Sequence, residues 1–369
     1  MKTFKEALIQ KLEDAIYADF GQENYDESRF GKFIPKPLSA IESAKYAVKK
    51  ASGWKKNETA VAYANLYNKY LDKLELMWQH FNSQDKALLV EIIAYRLLGN
   101  EKVKLSVNNP TFRGAVDKAK ALKSTNETYD PHFMGQILER FNLNPIGYNV
   151  DFFFTPEGVA IDFINEQYAY RLNGKNHVEV EKGDVVMDFG ACWGDTALYF
   201  ASKCGAAGKV YSFEFIPDNI KLWKHNVSMN PHLAGHIELV PHPVAKNHGE
   251  KIYFKDNGPG SIIRMEEFAE QTGSTTTVSI DALVKEKNIT KLDFIKMDIE
   301  GTEPKALEGA IESIRKFRPK LAIANYHSME DFVNIPKWIL DLNLDYEIFI
   351  GHYTIHHEET VLFAKPKNK

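Results

Sequence analysis

Cysteine is nearly absent: Cys192 and Cys204 are the only two in 369 residues. Two isolated thiols at that separation match neither a disulfide framework nor a zinc knuckle, and a reducing, cytoplasmic setting is expected. Concentrated positive charge is missing too. The 46 basic and 50 acidic residues leave a formal charge of −4 and lie spread along the chain. No phosphate backbone would find a complementary field there, so no nucleic-acid partner is expected. Long apolar runs are lacking. The stretch "ALLVEIIAYRLLG" is broken by Glu91 and Arg96, and the opening "MKTFKEALIQKLEDAIYADF" has no apolar signal core. Neither membrane insertion nor a visible export signal is expected. Internal repeats and low-complexity runs are likewise missing, and oligomeric state is not legible.

What is present suffices for a large core: 44% of residues are hydrophobic and 12% aromatic. Phe4, Leu8, Leu12, Ile16 and Phe20 share one helical face, and further helical patterns follow near 37–52, 57–82 and 84–99. "VNNPTFRG" and "STNETYDP" read as polar connectors. A mainly α-helical N-terminal region over 1–143 is expected, then a β-rich connector over 144–183 with a hairpin around Pro156, Glu157 and Gly158. From 184 to 369, apolar strands (185–189, 210–214, 237–240, 293–298, 320–324) alternate with helical stretches (195–204, 217–229, 303–316, 333–341), and the tail gives two further β runs. Such alternation predicts an α/β fold with a doubly wound, mostly parallel sheet ending in an antiparallel pair. Ligands of such sheets sit beyond the carboxyl ends of the strands.

The first of those ends, "VVMDFGACWGDTALYF", carries Asp188, then Gly190 and Gly194, then Asp195 and Thr196 at a helix start. Its spacing is neither G-x-G-x-x-G nor a P-loop, which argues against a polyphosphate. Asp188 suits a cationic ligand, and S-adenosylmethionine carries a sulfonium and an ammonium. The second strand ends in Glu214, where a carboxylate accepts from ribose hydroxyls, with Phe215 beside it for an adenine face. The alternative is that these residues only shape a tight turn and a solvated strand end. The convergence of both on one crevice favours a site.

With "VYSFEFIPDN", "LDFIKMDIEGTEPKALEGA", "RPKLAIANYH" and "ETVLFAKP", the chain resembles the class I S-adenosylmethionine-dependent methyltransferases, and among them the FkbM-type family, over roughly 184–366. The resemblance implies a seven-stranded Rossmann-like sheet with a reversed last strand, S-adenosylmethionine as donor, and O-methylation of a sugar or similar small hydroxylated acceptor. It implies that Asp188, Gly190, Ala191, Trp193, Gly194, Asp195 and Thr196 form the methionine-side loop, that Glu214 is the ribose ligand, and that Val244 and Ala245 lie against adenine. The indole of Trp193 is bulky for such a loop.

Methyl transfer to a hydroxyl needs a group that takes its proton. His327, just past the fifth strand, is the candidate base, with Asp298 and Glu300 beside it; Glu303 reads as a helix-start residue of structural role. A magnesium site at Asp298, Asn325 and His327 is the less favoured alternative. Tyr168, Arg171, Ser261 and Arg264 are candidate acceptor contacts. His352, His356 and His357 read as surface decoration of the last β pair. A non-catalytic nucleoside-binding module acting through the helical region is the second reading, and a nicotinamide oxidoreductase, disfavoured by the glycine spacing, the third.

Overall fold

The computed structural model describes residues 2–35, 39–133, 135–257 and 261–367. Seven strands pair into one sheet: β1 (Val185–Phe189), β2 (Lys209–Phe213), β3 (Ile237–Val240), β4 (Phe294–Met297), β5 (Lys320–Ala324), β6 (Tyr346–His352) and β7 (Thr360–Pro366). Their order is β6-β7-β5-β4-β1-β2-β3. All run parallel except β7, which is antiparallel to both β5 and β6. The central strands β4 and β5 are buried along their whole length, as strands covered on both faces must be. The chain works outward from β1 to β3, then crosses to β4, so the switch point lies between β1 and β4. Their last residues, Phe189 and Met297, are paired.

One face of the sheet (Ile295, Met297, Leu321, Ile323, Ile348, Ile350) shares a core with the N-terminal helices through Phe4, Leu8, Leu12, Leu74, Met77, Leu89, Ile92 and Ile93. The other face (Val186, Phe294, Ala322, Phe363) packs on Leu198 and Phe200 and on Phe152 and Phe163. The helical third is therefore laid directly on the sheet. A polar joint fixes the contact: Tyr170 Oη donates to Asp85 Oδ1 at 2.7 Å, and Ile350 N and Asn82 Nδ2 donate to Asp85 Oδ2 at 3.3 and 3.0 Å. No helix among the described residues is long and apolar enough to cross a membrane.

Several local expectations are corrected. The pattern over 57–82 resolves into Lys56–Asn65 and Leu71–His80 around a short 3-10 turn. "VNNPTFRG" opens a helix, Pro110–Lys120, whose N-terminus is capped by Asn109 Oδ1. "STNETYDP" supplies most of a strand, Lys123–Tyr129, which joins Leu138–Asn142 and Asp151–Phe154 in a three-stranded antiparallel sheet. The hairpin at Pro156 does not form. Thr155 Oγ1 accepts from Gly158 N at 3.0 Å and Pro156 occupies the first helical turn, so the chain enters a helix at Pro156–Val159 and continues through Ala160–Ile164. The helix expected over 303–316 is divided at Gly309, where a Cβ would stand 2.4 Å from the Ala245 carbonyl oxygen.

Candidate active site

A cleft of about 1730 Å³ opens beyond the carboxyl ends of the strands. Its floor is the turn after β1. Gly190 has φ +78°, and a Cβ there would stand 1.8 Å from the Asp298 carbonyl oxygen, so only glycine lets this turn and the end of β4 meet. Gly190 N and Ala191 N both donate to Phe213 O, at 3.2 and 3.0 Å, tying the turn to β2. Trp193 does not close the cleft. Its indole packs with Phe133, Leu138, Phe153 and Leu222, and its carbonyl accepts from Asn226 Nδ2 at 2.9 Å.

The charges are arranged differently from the simplest expectation. Asp188 is fully buried and does not line the cleft; Lys296 Nζ lies 3.2 Å from its Oδ1 and Thr196 Oγ1 donates to its Oδ2 at 2.9 Å. Ala191 and Gly194 lie behind the lining as well. Lys296, also buried, donates to the carbonyls of Phe189 (3.1 Å) and Gly190 (2.7 Å) and approaches the Tyr168 ring at 5.3 Å. Lys296 reaches the cleft, and so do Asp195, Thr196, Asp162, Glu214, Asp298, Glu300 and Glu359. Burial, reinforced by Asp195, drives the Asp162 carboxyl well above its ordinary range, and burial lifts Asp195 to about 6 and Glu359 to about 8. Glu214 Oε1 accepts from Phe215 N (2.6 Å) and Ile216 N (2.8 Å), and Oε2 accepts from Asn219 Nδ2 at 3.1 Å. The carboxylate is thereby held at the mouth of β2, and burial raises it to about 7. Phe215, Val244 and Ala245 line the same end.

Beyond β4 and β5 the carboxylates converge on one imidazole. His327 Nε2 is 3.5 Å from Asp298 Oδ1 and 3.7 Å from Glu300 Oε2, while Nδ1 is 3.4 Å from Glu303 Oε1. Tyr168 Oη donates to Asp298 Oδ2 at 3.3 Å and Tyr326 Oη contacts both Asp298 oxygens at 3.3 Å. Glu303 is thus not merely a helix-start residue. It is wholly buried, its Oε1 accepts from Ile299 N at 2.8 Å, its Oε2 has no hydrogen-bond partner, and burial raises it to about 8. The group able to hold an ion changes accordingly: Asp298, Glu303 and His327 offer ligand atoms within 4.8 Å of one another. Asn325 lies outside the cleft lining, fully buried, with its Nδ2 donating to the Phe332 carbonyl at 3.0 Å.

Tyr168, Ser261 and Arg264 line the cleft, but Arg171 does not; it is ion-paired with Glu166 outside it. Gly258, Pro259 and Gly260, directly before Ser261, fall outside the described residues. The helical third contributes lining that sequence reasoning did not foresee, including Tyr25, Ser28, Arg29 and Phe112. His352 and His356 are buried rather than surface decoration. The ring nitrogens of His352 are taken by Thr360 Oγ1 and His356 O, both at 2.8 Å. Lys296 was detectable as a lone charge inside an apolar strand; Glu359 and Asp162 gave no such signal.

A doubly wound sheet with a reversed last strand, a glycine turn after β1 and a held carboxylate after β2 make this a methyltransferase-type fold. Residues 180–348 match the methyltransferase FkbM domain. The chain is similar to hexuronic acid methyltransferase AglP of Haloferax volcanii, 25% identical over 181 residues, which covers 46% of this chain and 67% of that protein. Among solved structures, methyltransferase FkbM from Methylobacillus flagellatus aligns at 15% identity with a TM-score of 0.49, over 89% of this chain and 71% of the other. Fibrillarin of Aeropyrum pernix, solved with S-adenosyl-L-methionine bound, aligns at 15% identity and TM-score 0.34, over 62% and 90%.

Proposed function

We propose that the protein is an S-adenosylmethionine-dependent O-methyltransferase acting on a hydroxyl of a sugar, glycan or related small acceptor. The observation that carries this reading is His327 in the cleft lining, with the buried Glu303 carboxylate facing its Nδ1 and Asp298 and Glu300 facing its Nε2. The lining fits the methyl donor: an acidic, partly buried cleft suits a cation. Asp195 and Thr196 would hold the amino-acid end, Glu214 Oε2 the ribose hydroxyls, and Phe215, Val244 and Ala245 the adenine. Bound there, S-adenosylmethionine supplies a methyl carbon already activated by its sulfonium.

The remaining chemistry belongs to the protein. On this reading Glu303 orients the imidazole through Nδ1, and Nε2 takes the proton of the acceptor hydroxyl. Asp298, steadied by Tyr168 and Tyr326, stabilises the imidazolium that results. Glu303 and Asp298 stand at different ring nitrogens, an arrangement that favours a proton relay over an ion cage. The acceptor is assigned to the wall of Tyr25, Ser28, Phe112, Ser261 and Arg264, where aromatic faces and hydrogen-bonding groups suit a sugar ring. The relative's action on a hexuronic acid supports that class.

The test is titration with S-adenosylhomocysteine followed by methyl transfer from labelled donor to a panel of glycans. Labelled glycan that disappears in His327→Ala supports the proposal. Tight binding with no turnover on any acceptor would instead leave a binding module.

A further inference from the structure

The helix Ala40–Ser52 is capped at Ser39 by a reciprocal pair with Glu42 and is exposed at every residue except Tyr46. Tyr46 is its tie to the body: its Oη donates to Ala18 O at 3.2 Å, accepts from Lys102 Nζ at 3.1 Å, and its ring meets Tyr17 edge-on at 6.0 Å. At about 3.6 residues per turn, Ile41, Ala44 and Val48 form a stripe on the side facing away from Tyr46. That stripe does nothing for the fold. Ile41 and Val48 are 68% and 67% exposed, with Ile34 before the helix at 79% and Trp54 after it at 54%. A short helix with little tertiary packing is marginal by itself, so an outward apolar stripe on it calls for an external partner.

Charge decides which partner. Between 40 and 56 the chain carries Lys45, Lys49, Lys50, Lys55 and Lys56 against the single acid Glu42. Lys45 and Lys49 border the stripe, and Lys49 and Lys55 place their ammonium groups 5.3 and 5.6 Å over the Trp54 ring. A second copy seated on this face would bring lysines against lysines. A basic amphipathic helix ending in an indole matches instead the surface of a bilayer bearing anionic headgroups. We propose that Ala40–Ser52, with Ile34 and Trp54, docks the protein peripherally on anionic lipid. Aliphatic side chains enter the headgroup boundary, the indole lies at headgroup level, and the lysines reach the phosphates. This inference is independent of the methyl-transfer reading.

Co-sedimentation of the full chain with phosphatidylcholine vesicles, with and without phosphatidylglycerol, tests it. The chain should pellet with the anionic vesicles, be released by added salt, and pellet far less with phosphatidylcholine alone. The double substitution Ile41→Glu with Val48→Glu should lower partitioning by roughly tenfold or more, and Lys45→Glu with Lys49→Glu by a similar factor, with thermal melting unchanged in both. Absence of binding at low salt, or a melting-competent Ile41→Glu, Val48→Glu variant that pellets like the parent, would overturn the proposal. So would a parent dimer in light scattering that this variant dissociates, since a second copy would then cover the face.

Discussion

At the scale of residues, the pair Glu303 and His327 shows where sequence reasoning stops. In "DIEGTEPKAL" the first-turn position of Glu303 is legible, and it does start a helix. The direction of its side chain is not, because its partner lies at the end of another strand. If Glu303 orients the base, Glu303→Gln should slow turnover with little change in donor affinity. The parent rate should rise with pH through about 8, as the Glu303 carboxyl ionises and accepts from Nδ1, and that limb should be lost in the variant. Stability carries the opposite sign. A carboxyl whose folded pKa is raised contributes most below its unfolded pKa and loses that contribution as pH climbs through about 8. Glu303→Gln should therefore melt higher than the parent above that pH, with the gap closing towards acid, as thermal scans across pH would show. Glu214→Ala should weaken S-adenosylhomocysteine binding by roughly 1–3 kcal/mol. Unchanged calorimetric affinity would remove it from the ribose position.

At the scale of elements, β1, β3 and β5 and the helix Asp195–Cys204 lie where the apolar pattern puts them. Strands buried on both faces announce themselves as short apolar runs between turn residues. The misread stretches share a cause: their structure is decided by neighbours. The apolar run 159–164 looks like a strand but is turned into a helix by Thr155 and Pro156 and buried through Val159 and Phe163. Gly309 interrupts a good helical pattern because another chain segment passes over it. The same logic makes Gly190 the most sensitive point of the β1 turn. Gly190→Ala would force apart the turn and the end of β4, and should cost more than about 2 kcal/mol of stability along with donor binding. A variant that melts and binds like the parent would show the turn to be pliable. Exhaustive chelation tests the other assembly at these ends: turnover that survives it excludes an ion at Asp298, Glu303 and His327 from the reaction.

At the scale of the whole molecule, the helical third is part of the sheet's own core, and no composition shift in the sequence discloses that. A fragment of residues 100–369 should accordingly show no cooperative melting, because Ile348, Ile350 and Ile323 would lose their cover. Tyr170→Phe should cost about 1–3 kcal/mol by withdrawing one donor from the buried Asp85, whose carboxyl burial already raises to about 6. The same third also supplies Tyr25, Arg29 and Phe112 to the cleft, so on the proposed reaction acceptor choice and folding share one structural element. The acidic lining has a kinetic consequence. On the proposed reaction the donor arrives bearing a sulfonium charge and the spent cofactor leaves with a neutral sulfur, so each turnover erases the attraction that Asp195, Asp298 and their neighbours exert. The cleft grips fuel more firmly than exhaust, and the chemical step itself loosens the product for exchange.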